Sequence, residues 1–336
     1  MRIDVHCHFL PESGRRAHER GADWHGTMFS RNDAGILVSE TGPRRFTFGS
    51  PQHFESMEQR VARMDARQVD TEMLSLLPPL FRYEVASADN VAAARDVNDE
   101  LSALTKRFPG RFLGLGTLPL QDVEASVSEM ERAMALPGMA GVAIGTNING
   151  VNLDAEELAP FFSAAHDLNA FVFIHPMDQR GREALGSYYL RNAIGNPLET
   201  TIAAASLMMS GRLAQLPRLH VCLAHGGGYV AAALGRLEHT WKVRKEVEKT
   251  DDRSPAALYR RFFYDSLTHD ERTLRHLVDF VGVDRVVLGT DFPADMGMTD
   301  AAVEITASNA FTDDEKAAIL GGNLAAALGL ESTTTE

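Results

Sequence analysis

The sequence predicts an α/β protein, and within that class a parallel (β/α)₈ barrel, from two observations. Eight short apolar or β-branched runs alternate with longer amphipathic stretches, and the fifth, sixth and eighth runs end in His175, His225 and Asp291. The predicted strands are Ile3–His6, Glu72–Leu76, Phe112–Thr117, Gly141–Gly145, Phe171–His175, Val221–His225, Arg261–Asp265 and Arg285–Asp291. Because alternation alone does not show that a sheet closes, a doubly wound open sheet is the alternative.

Amphipathic stretches of helical periodicity separate these strands. The predicted helices are Phe54–Gln68, Ala92–Arg107, Asp122–Ala135, Ala155–Leu168, Thr200–Leu213, Tyr229–Glu248, Ser254–Arg260 and Asp270–Val281. The stretch 13–51 is too long and too polar for a simple connection after the first strand, so we predict an insertion over the barrel mouth. Residues 1–336 are expected to form a single domain, with a disordered tail at 330–336.

The composition restricts the class of protein. The chain has 336 residues, of which 44% are hydrophobic and 24% charged, enough to bury a large core. No apolar run approaches the ~20 residues of a membrane-spanning helix, and the start lacks the pattern of a secretory signal, so a cytoplasmic protein without a membrane partner is expected. A net charge of -13 argues against nucleic acid as a partner. Cys7 and Cys222 are predicted to be buried thiols without a disulfide framework.

Histidines at strand ends are the main functional signal. His6 and His8 are one residue apart on the first strand, so their side chains face the same side, about 7 Å apart along the chain. Such a pair can occur by chance, but His175, His225 and Asp291 also end predicted strands. The active site of a (β/α)₈ barrel lies at the carboxyl ends of its strands. All five side chains are therefore expected to converge, and imidazole is a common metal ligand.

The remaining histidines lack this placement, and most are predicted to be solvated or structural. They are His18, His25, His53, His166, His220, His239, His269 and His276. His269 is the one exception, because it follows the seventh predicted strand closely. The fourth predicted strand ends in Gly145 and Thr146, without a lysine or glutamate that could bridge two ions, so one metal ion is expected.

The chain resembles the amidohydrolase superfamily, and within it the 2-amino-3-carboxymuconate-6-semialdehyde decarboxylase branch, over nearly its full length. The resemblance is carried by Asp4–His8, Met64–Ala66, Phe173–Pro176, Leu207–Gly211, His225–Gly228, Leu234–Arg236, Trp241 and Leu288–Pro293. It implies one divalent metal, usually zinc, held by His6, His8, His175 and Asp291, with His225 beside a water as acid or base. Mn²⁺, Fe²⁺ and Co²⁺ are alternatives, because imidazole and carboxylate sites select weakly among metals.

The resemblance also indicates a small carboxylate substrate. It implies that Arg236 reaches the site of a neighbouring subunit, which requires a homodimer, and that an arginine of the insertion binds the substrate. Arg45 is chosen for that role because a guanidinium matches a carboxylate, although Arg44 and Arg45 could both be surface charges. Met177 and Ala294 differ from the family pattern, so a substrate other than the namesake compound is expected.

The predicted function is metal-dependent, non-oxidative decarboxylation of a carboxylated muconate semialdehyde or a hydroxy- or amino-aromatic acid. His225, or Asp291 if it is loosely ligated, would move the proton that replaces CO₂. The same residues could serve a mononuclear hydrolase of a lactone, ester or amide, which is the enzymatic alternative. A catalytically inactive metal-binding scaffold is the remote alternative.

Overall fold

The computed structural model describes residues 1–177, 179–247 and 253–330. Eight parallel strands form the central sheet in the order in which they occur along the chain. They are β1 Ile3–Phe9, β2 Thr71–Leu76, β3 Phe112–Gly116, β4 Met139–Gly145, β5 Phe171–His175, β6 His220–Leu223, β7 Phe262–Asp265 and β8 Val286–Val287. Each predicted strand overlaps one of these, and the predicted α/β class is confirmed.

Hydrogen bonds between the last and first strands close the sheet into a barrel. The amide of Val5 donates to the carbonyl of Leu288 at 2.9 Å, and the amide of His8 donates to the carbonyl of Phe292 at 2.7 Å. An open sheet has two unpaired edges and could not form these bonds. The doubly wound alternative is therefore excluded.

Burial on both faces explains the apolar character of the strands. Every residue of β5 is buried, as expected for a parallel strand with side chains inside the barrel and against the outer helices. Close backbone packing adds a requirement for glycine in β4. A Cβ on Gly141 would lie 1.9 Å from the carbonyl oxygen of Phe171, so no side chain fits there.

Helices surround the barrel. The α-helices between its strands are Met57–Ala66, Ser87–Arg107, Val123–Met134, Ala159–Asp167, Asn196–Met209, Arg212–Gln215, Val230–Val243, Pro255–Leu258 and Glu271–Val281. Three more follow β8, at Ala301–Ala307, Asp313–Ala317 and Asn323–Leu328. The first of the predicted helices starts later than expected, because Ser56 forms a capping box with Gln59. Among the described residues, no helix has both the length and the apolar character needed to cross a membrane.

The segment predicted as an insertion folds on itself and onto the barrel. Helix Glu12–Glu19 precedes a three-stranded antiparallel sheet made of Met28–Arg31, Leu37–Thr41 and Arg44–Thr47. The fully buried Arg82, after β2, donates to the Trp24 carbonyl at 3.1 Å and faces the Trp24 ring at 4.5 Å. This contact fixes the insertion to the carboxyl-end side of the barrel. The predicted tail at 330–336 lies, apart from its first residue, outside the described residues.

Candidate metal centre

Four buried side chains meet at the carboxyl ends of the strands. His6 and His8 come from β1, His175 ends β5, and Asp291 follows β8. One ligand atom of each lies within 4.8 Å of those of the other three. The Nε2 atoms of the three histidines are buried and have no well-aligned hydrogen bond to a described residue, although those of His6 and His8 lie only 3.3 and 3.1 Å from Asp291 Oδ1. Three such nitrogens beside one carboxylate match the ligand set of a divalent metal ion.

Neighbouring groups fix how two of these imidazoles present their lone pairs. The Nδ1 atom of His175 lies 2.9 Å from the carbonyl of Pro176, and a carbonyl can only accept. The Nδ1 atom of His8 lies 2.9 Å from the hydroxyl of Ser75, which itself donates to the carbonyl of Cys7. Both Nδ1 atoms therefore carry hydrogen, and both Nε2 atoms keep a lone pair for a metal.

Asp265, at the end of β7, forms hydrogen bonds to His6 and to the loop that carries His225. Its carboxylate lies 2.6 Å from His6 Nδ1 and accepts from the amides of His225 at 3.0 Å and Gly226 at 2.6 Å. Asp265 was not among the site residues predicted from the sequence, although an aspartate that ends the seventh predicted strand was an available signal. His269 was retained instead, but its side chain is exposed and makes no contact with the four ligands among the described residues.

Asp4 holds the turn that carries Asp291. The carboxylate of Asp4 accepts from the amide and hydroxyl of Thr290, at 3.1 and 2.6 Å, and from the amide of His6 at 3.1 Å. Asp291 then adopts a left-handed backbone conformation with φ 58°, stabilised by a bond from its amide to the His6 carbonyl at 2.8 Å. This turn explains why β8 ends at Val287 rather than at Asp291 as predicted.

The protonation of the four side chains depends on the opposing effects of burial and of neighbouring charges. Burial acts to lower the pKa of His6, but the carboxylates of Asp291 and Asp265 outweigh it and raise that pKa to about 10. Burial lowers the pKa of His8 to about 4 and that of His175 well below its usual value. Burial acts to raise the pKa of Asp291, but the facing histidines outweigh it and hold the pKa well below its usual range. The centre therefore favours one positive charge beside Asp291, and a metal ion can supply it.

His225 lies beside the cluster and outside it. Its Nε2 atom is 3.5 Å from the second carboxylate oxygen of Asp291, and its Nδ1 atom is buried without a partner. The residue follows β6 instead of ending it, because its backbone turns into the left-handed region at φ 57°. The side chain is 13% exposed, whereas that of His6 is fully buried. His225 thus combines contact with Asp291 and access to solvent, as a proton-transfer group requires.

The two arginines predicted to bind substrate lie apart from these side chains. Arg236 is exposed on helix Val230–Val243. The side chain of Arg45 is 61% exposed, with its Nε atom 3.7 Å from Glu40. Neither forms a hydrogen bond or ion pair with the four candidate ligands within the described chain. Arg44 lies 2.8 Å from Glu84 in an ion pair at the edge of the insertion.

One histidine from the group predicted to be solvated or structural is buried against Phe48. His53 lies in the short 3₁₀ segment Pro51–Phe54, and burial lowers its pKa to about 4. The charges of His8 and Arg60 add to this effect, and that of Asp291 opposes it. The sequence carried no signal for its burial, because His53 lies between the predicted insertion 13–51 and the predicted helix Phe54–Gln68.

Comparison with known proteins gives a consistent result. A family model described as Amidohydrolase matches residues 3–330. The 2-amino-3-carboxymuconate-6-semialdehyde decarboxylase of Dictyostelium discoideum is 32% identical over 98% of this chain and 92% of its own length. The structure of 5-carboxyvanillate decarboxylase from Sphingomonas paucimobilis has a TM-score of 0.81 and 24% identity, covering 98% of this chain and 99% of that one.

A second structural neighbour contains a metal ion. It is a dihydroxybenzoic acid decarboxylase from Polaromonas sp. JS666, solved with manganese and the inhibitor 2-nitroresorcinol. Its TM-score is 0.80 at 21% identity, covering 98% of this chain and 97% of that one. At this identity the two structures establish the common barrel fold.

Proposed function

This chain belongs to the amidohydrolase family, and from that premise we propose that it is a metal-dependent carboxy-lyase. The reaction is non-oxidative decarboxylation of a carboxylated muconate semialdehyde or a hydroxy- or amino-substituted aromatic acid. The observation that carries the proposal is the convergence of three buried imidazole nitrogens and the carboxylate of Asp291 within 4.8 Å of one another. This set occurs in a chain that is similar to a decarboxylase over 98% of its length.

The proposed ligands are His6, His8, His175 and Asp291. A site of imidazoles and one carboxylate accepts Zn²⁺, Mn²⁺, Fe²⁺ or Co²⁺, and we propose zinc, with manganese as the first alternative because the Polaromonas neighbour contains it. One ion is proposed because β4 ends at Gly145, without a bridging carboxylate or lysine. When bound, a divalent ion withdraws electron density from a substrate oxygen near the scissile carboxylate.

The protein's own residues would complete the reaction by handling one proton. When CO₂ leaves, the electron pair of the broken carbon–carbon bond stays on the substrate carbon, which must then gain a proton. His225 is the proposed donor, because its ring meets both Asp291 and solvent and can be reprotonated after each turnover. Asp291 is the second candidate. Asp265 keeps His225 in position through the His225 amide.

Several finer assignments stay predictions. Arg236, exposed on its helix, is proposed to bind the substrate carboxylate across a homodimer interface. The sequence predicts the same role for Arg45, which lies exposed beside Glu40 in the described structure. The proposed substrate is a small carboxylic acid, whichever of the two arginines binds it. Met177 and Ala294 are predicted to change the pocket relative to the namesake enzyme. A cytoplasmic location also stays a prediction from the sequence.

CO₂ release from a panel of carboxylated muconate semialdehydes and hydroxy- or aminobenzoates tests the proposal, with the metal content assayed in the same samples. We expect release in proportion to bound metal, and loss of activity after chelation. Fully metallated protein that releases no CO₂ but cleaves lactones, esters or amides would instead establish the hydrolase. Metallated protein inactive in every assay would support the inactive scaffold.

A further inference from the structure

The side chain of Met177 lies on the same face of the barrel wall as the metal centre. Met177 follows the candidate ligand His175 by two residues. In β5, Phe173 and His175 face the barrel interior, because their rings lie 4.9 and 5.0 Å from the ring of His6. Gly145 of β4 is the register partner of His175, and register partners in adjacent parallel strands face the same side of a sheet. A side chain at Gly145 would therefore point into the interior.

Met177 occupies the space that such a side chain would need. A Cβ on Gly145 would lie 2.7 Å from the Sδ atom of Met177 and 2.9 Å from its Cγ atom. The thioether thus leans from the end of β5 across the interior side of β4, beside His175. Only 4% of Met177 is exposed, so this position is protected by the protein around it.

Hydrogen bonds hold the backbone on both sides of this contact. The carbonyl of Met177 accepts from Asn147 Nδ2 at 3.3 Å, and the same amide group donates to Glu199 at 3.1 Å. The amide of Gly145 donates to the hydroxyl of Tyr83 at 3.0 Å. Methionine, by contrast, has three rotatable side-chain bonds and adapts to the shape of its neighbours. The width of the barrel mouth at β4 therefore depends on the side chain of Met177.

A substrate at the metal centre must come close to this side chain. The four candidate ligands converge at the carboxyl ends of the strands, so a substrate reaches them from that end of the barrel. Met177 is the residue two positions beyond the ligand His175, and its side chain offers carbon and sulfur but no hydrogen-bond donor. A thioether packs favourably against an aromatic ring. Met177 thus suits the ring of an aromatic acid and not its carboxylate.

We infer, on the basis of the proposed function, that Met177 contacts the ring of an aromatic acid substrate and limits the size of the ring substituent that the site accepts. A substituent directed toward β4 meets the thioether, because Gly145 provides no other side chain there. A smaller side chain at position 177 should admit that substituent. Met177 then determines substrate specificity without touching the transferred proton.

The test is calorimetric titration of metal-loaded wild type, M177A and M177V with 2-hydroxybenzoate and with the four isomers that carry one methyl group on its ring. The measured quantity is the affinity of each isomer divided by that of 2-hydroxybenzoate. For at least one isomer we expect this ratio to rise about tenfold or more in M177A, since one methyl group in a filled pocket has an effect of that size. M177V should give a smaller rise. All three proteins should hold the same amount of metal.

Two variants serve as controls. M177L nearly conserves the volume, so its ratios should stay within about threefold of wild type. M130A removes the same side chain from a fully buried position on the outer helix Val123–Met134, and its ratios should equal those of wild type. If M177A does not fold, M177V decides the question. Wild-type ratios for all four isomers in the folded position-177 variants, an equal change in M130A, or wild type that binds none of these acids would each overturn the inference.

The CO₂ assay keeps this result separate from the proposed function. Wild type that shows the expected dependence on Met177 but releases no CO₂ from any acid in the panel would refute the decarboxylase and retain Met177 as a residue that selects among bound acids. Wild type that releases CO₂, with unchanged affinity ratios in M177A and M177V, would retain the decarboxylase and refute the role of Met177.

Discussion

β1 and the insertion that follows it contribute to the same end of the barrel, but only β1 could be interpreted directly from the sequence. In β1 the two-residue period places His6 and His8 on one face, and barrel closure brings that face to His175 and Asp291. In the insertion, Arg45, chosen from the sequence to bind substrate, is exposed and lies close to Glu40. Side-chain direction is thus predictable where a regular element is part of the barrel. It is not predictable where a segment forms its own small sheet and packs through distant contacts.

His175, at the end of β5, gives the strongest test of the proposed ligand set, and the largest effect is expected there. We expect H175A to lower the bound metal about tenfold or more, because a metal site that loses a protein ligand loses affinity. Metal content measured by mass spectrometry and CO₂ release on the same sample provide the check. H225A is the comparator: it should retain metal, while kcat falls by about 10²-fold or more through loss of the proton donor. Fully active H175A without metal would disprove the assignment.

A substitution at Asp265 tests whether its hydrogen bonds to His6 and to the His225 loop contribute to metal binding or catalysis. In D265N one carboxylate oxygen becomes an NH₂ group, so at least one of the donors from His6, His225 and Gly226 loses its acceptor. We expect metal affinity or kcat to fall about 10- to 100-fold, as is typical for partners of metal-binding histidines. D279N is a surface control, since Asp279 is paired with Arg275 on an outer helix. D265N equal to wild type in both quantities would show that His6 needs no such partner.

The raised pKa of His6 predicts a smaller effect, in which the metal affinity changes gradually with pH. Without metal this pKa is about 10, so at pH 7 the imidazole holds a proton that a metal ion must displace. The low pKa values of His8, His175 and Asp291 mean that these three ligands release none. Metal affinity should therefore rise about tenfold per unit between pH 7 and 9, with about one proton released per ion. Calorimetry in buffers of different ionisation enthalpy measures the proton, and affinity independent of pH would contradict the assignment.

The sequence predicted the strands and the convergence of the four buried side chains better than the hydrogen bonds around them, for physical reasons. Strand positions follow from local apolar patterns, and the carboxyl-end rule then brings together residues as distant as His6 and Asp291. Barrel closure, however, depends on hydrogen bonds such as Val5 to Leu288, which no local pattern encodes. The early end of β8 depends on Asp4, 286 residues from Thr290 in the chain. Asp265 was missed for the same reason, because its role consists of contacts with other strands.

Arg45 should give the smallest effect, and it tests whether the insertion contributes to substrate binding. Its guanidinium is mostly solvated and close to Glu40, and exposed ion pairs contribute little. We expect R45Q to change KM by less than about threefold, with kcat and metal content unchanged. R44Q, which removes the ion pair with Glu84, is the control for a general effect of charge loss in the insertion.

If Arg45 binds the substrate carboxylate, as the sequence predicts, R45Q must raise KM tenfold or more while R44Q does not. That outcome would require the insertion to turn Arg45 toward the metal centre when substrate binds. It would also mean that side-chain direction in this segment depends on the ligand, whereas in β1 it depends on the backbone alone.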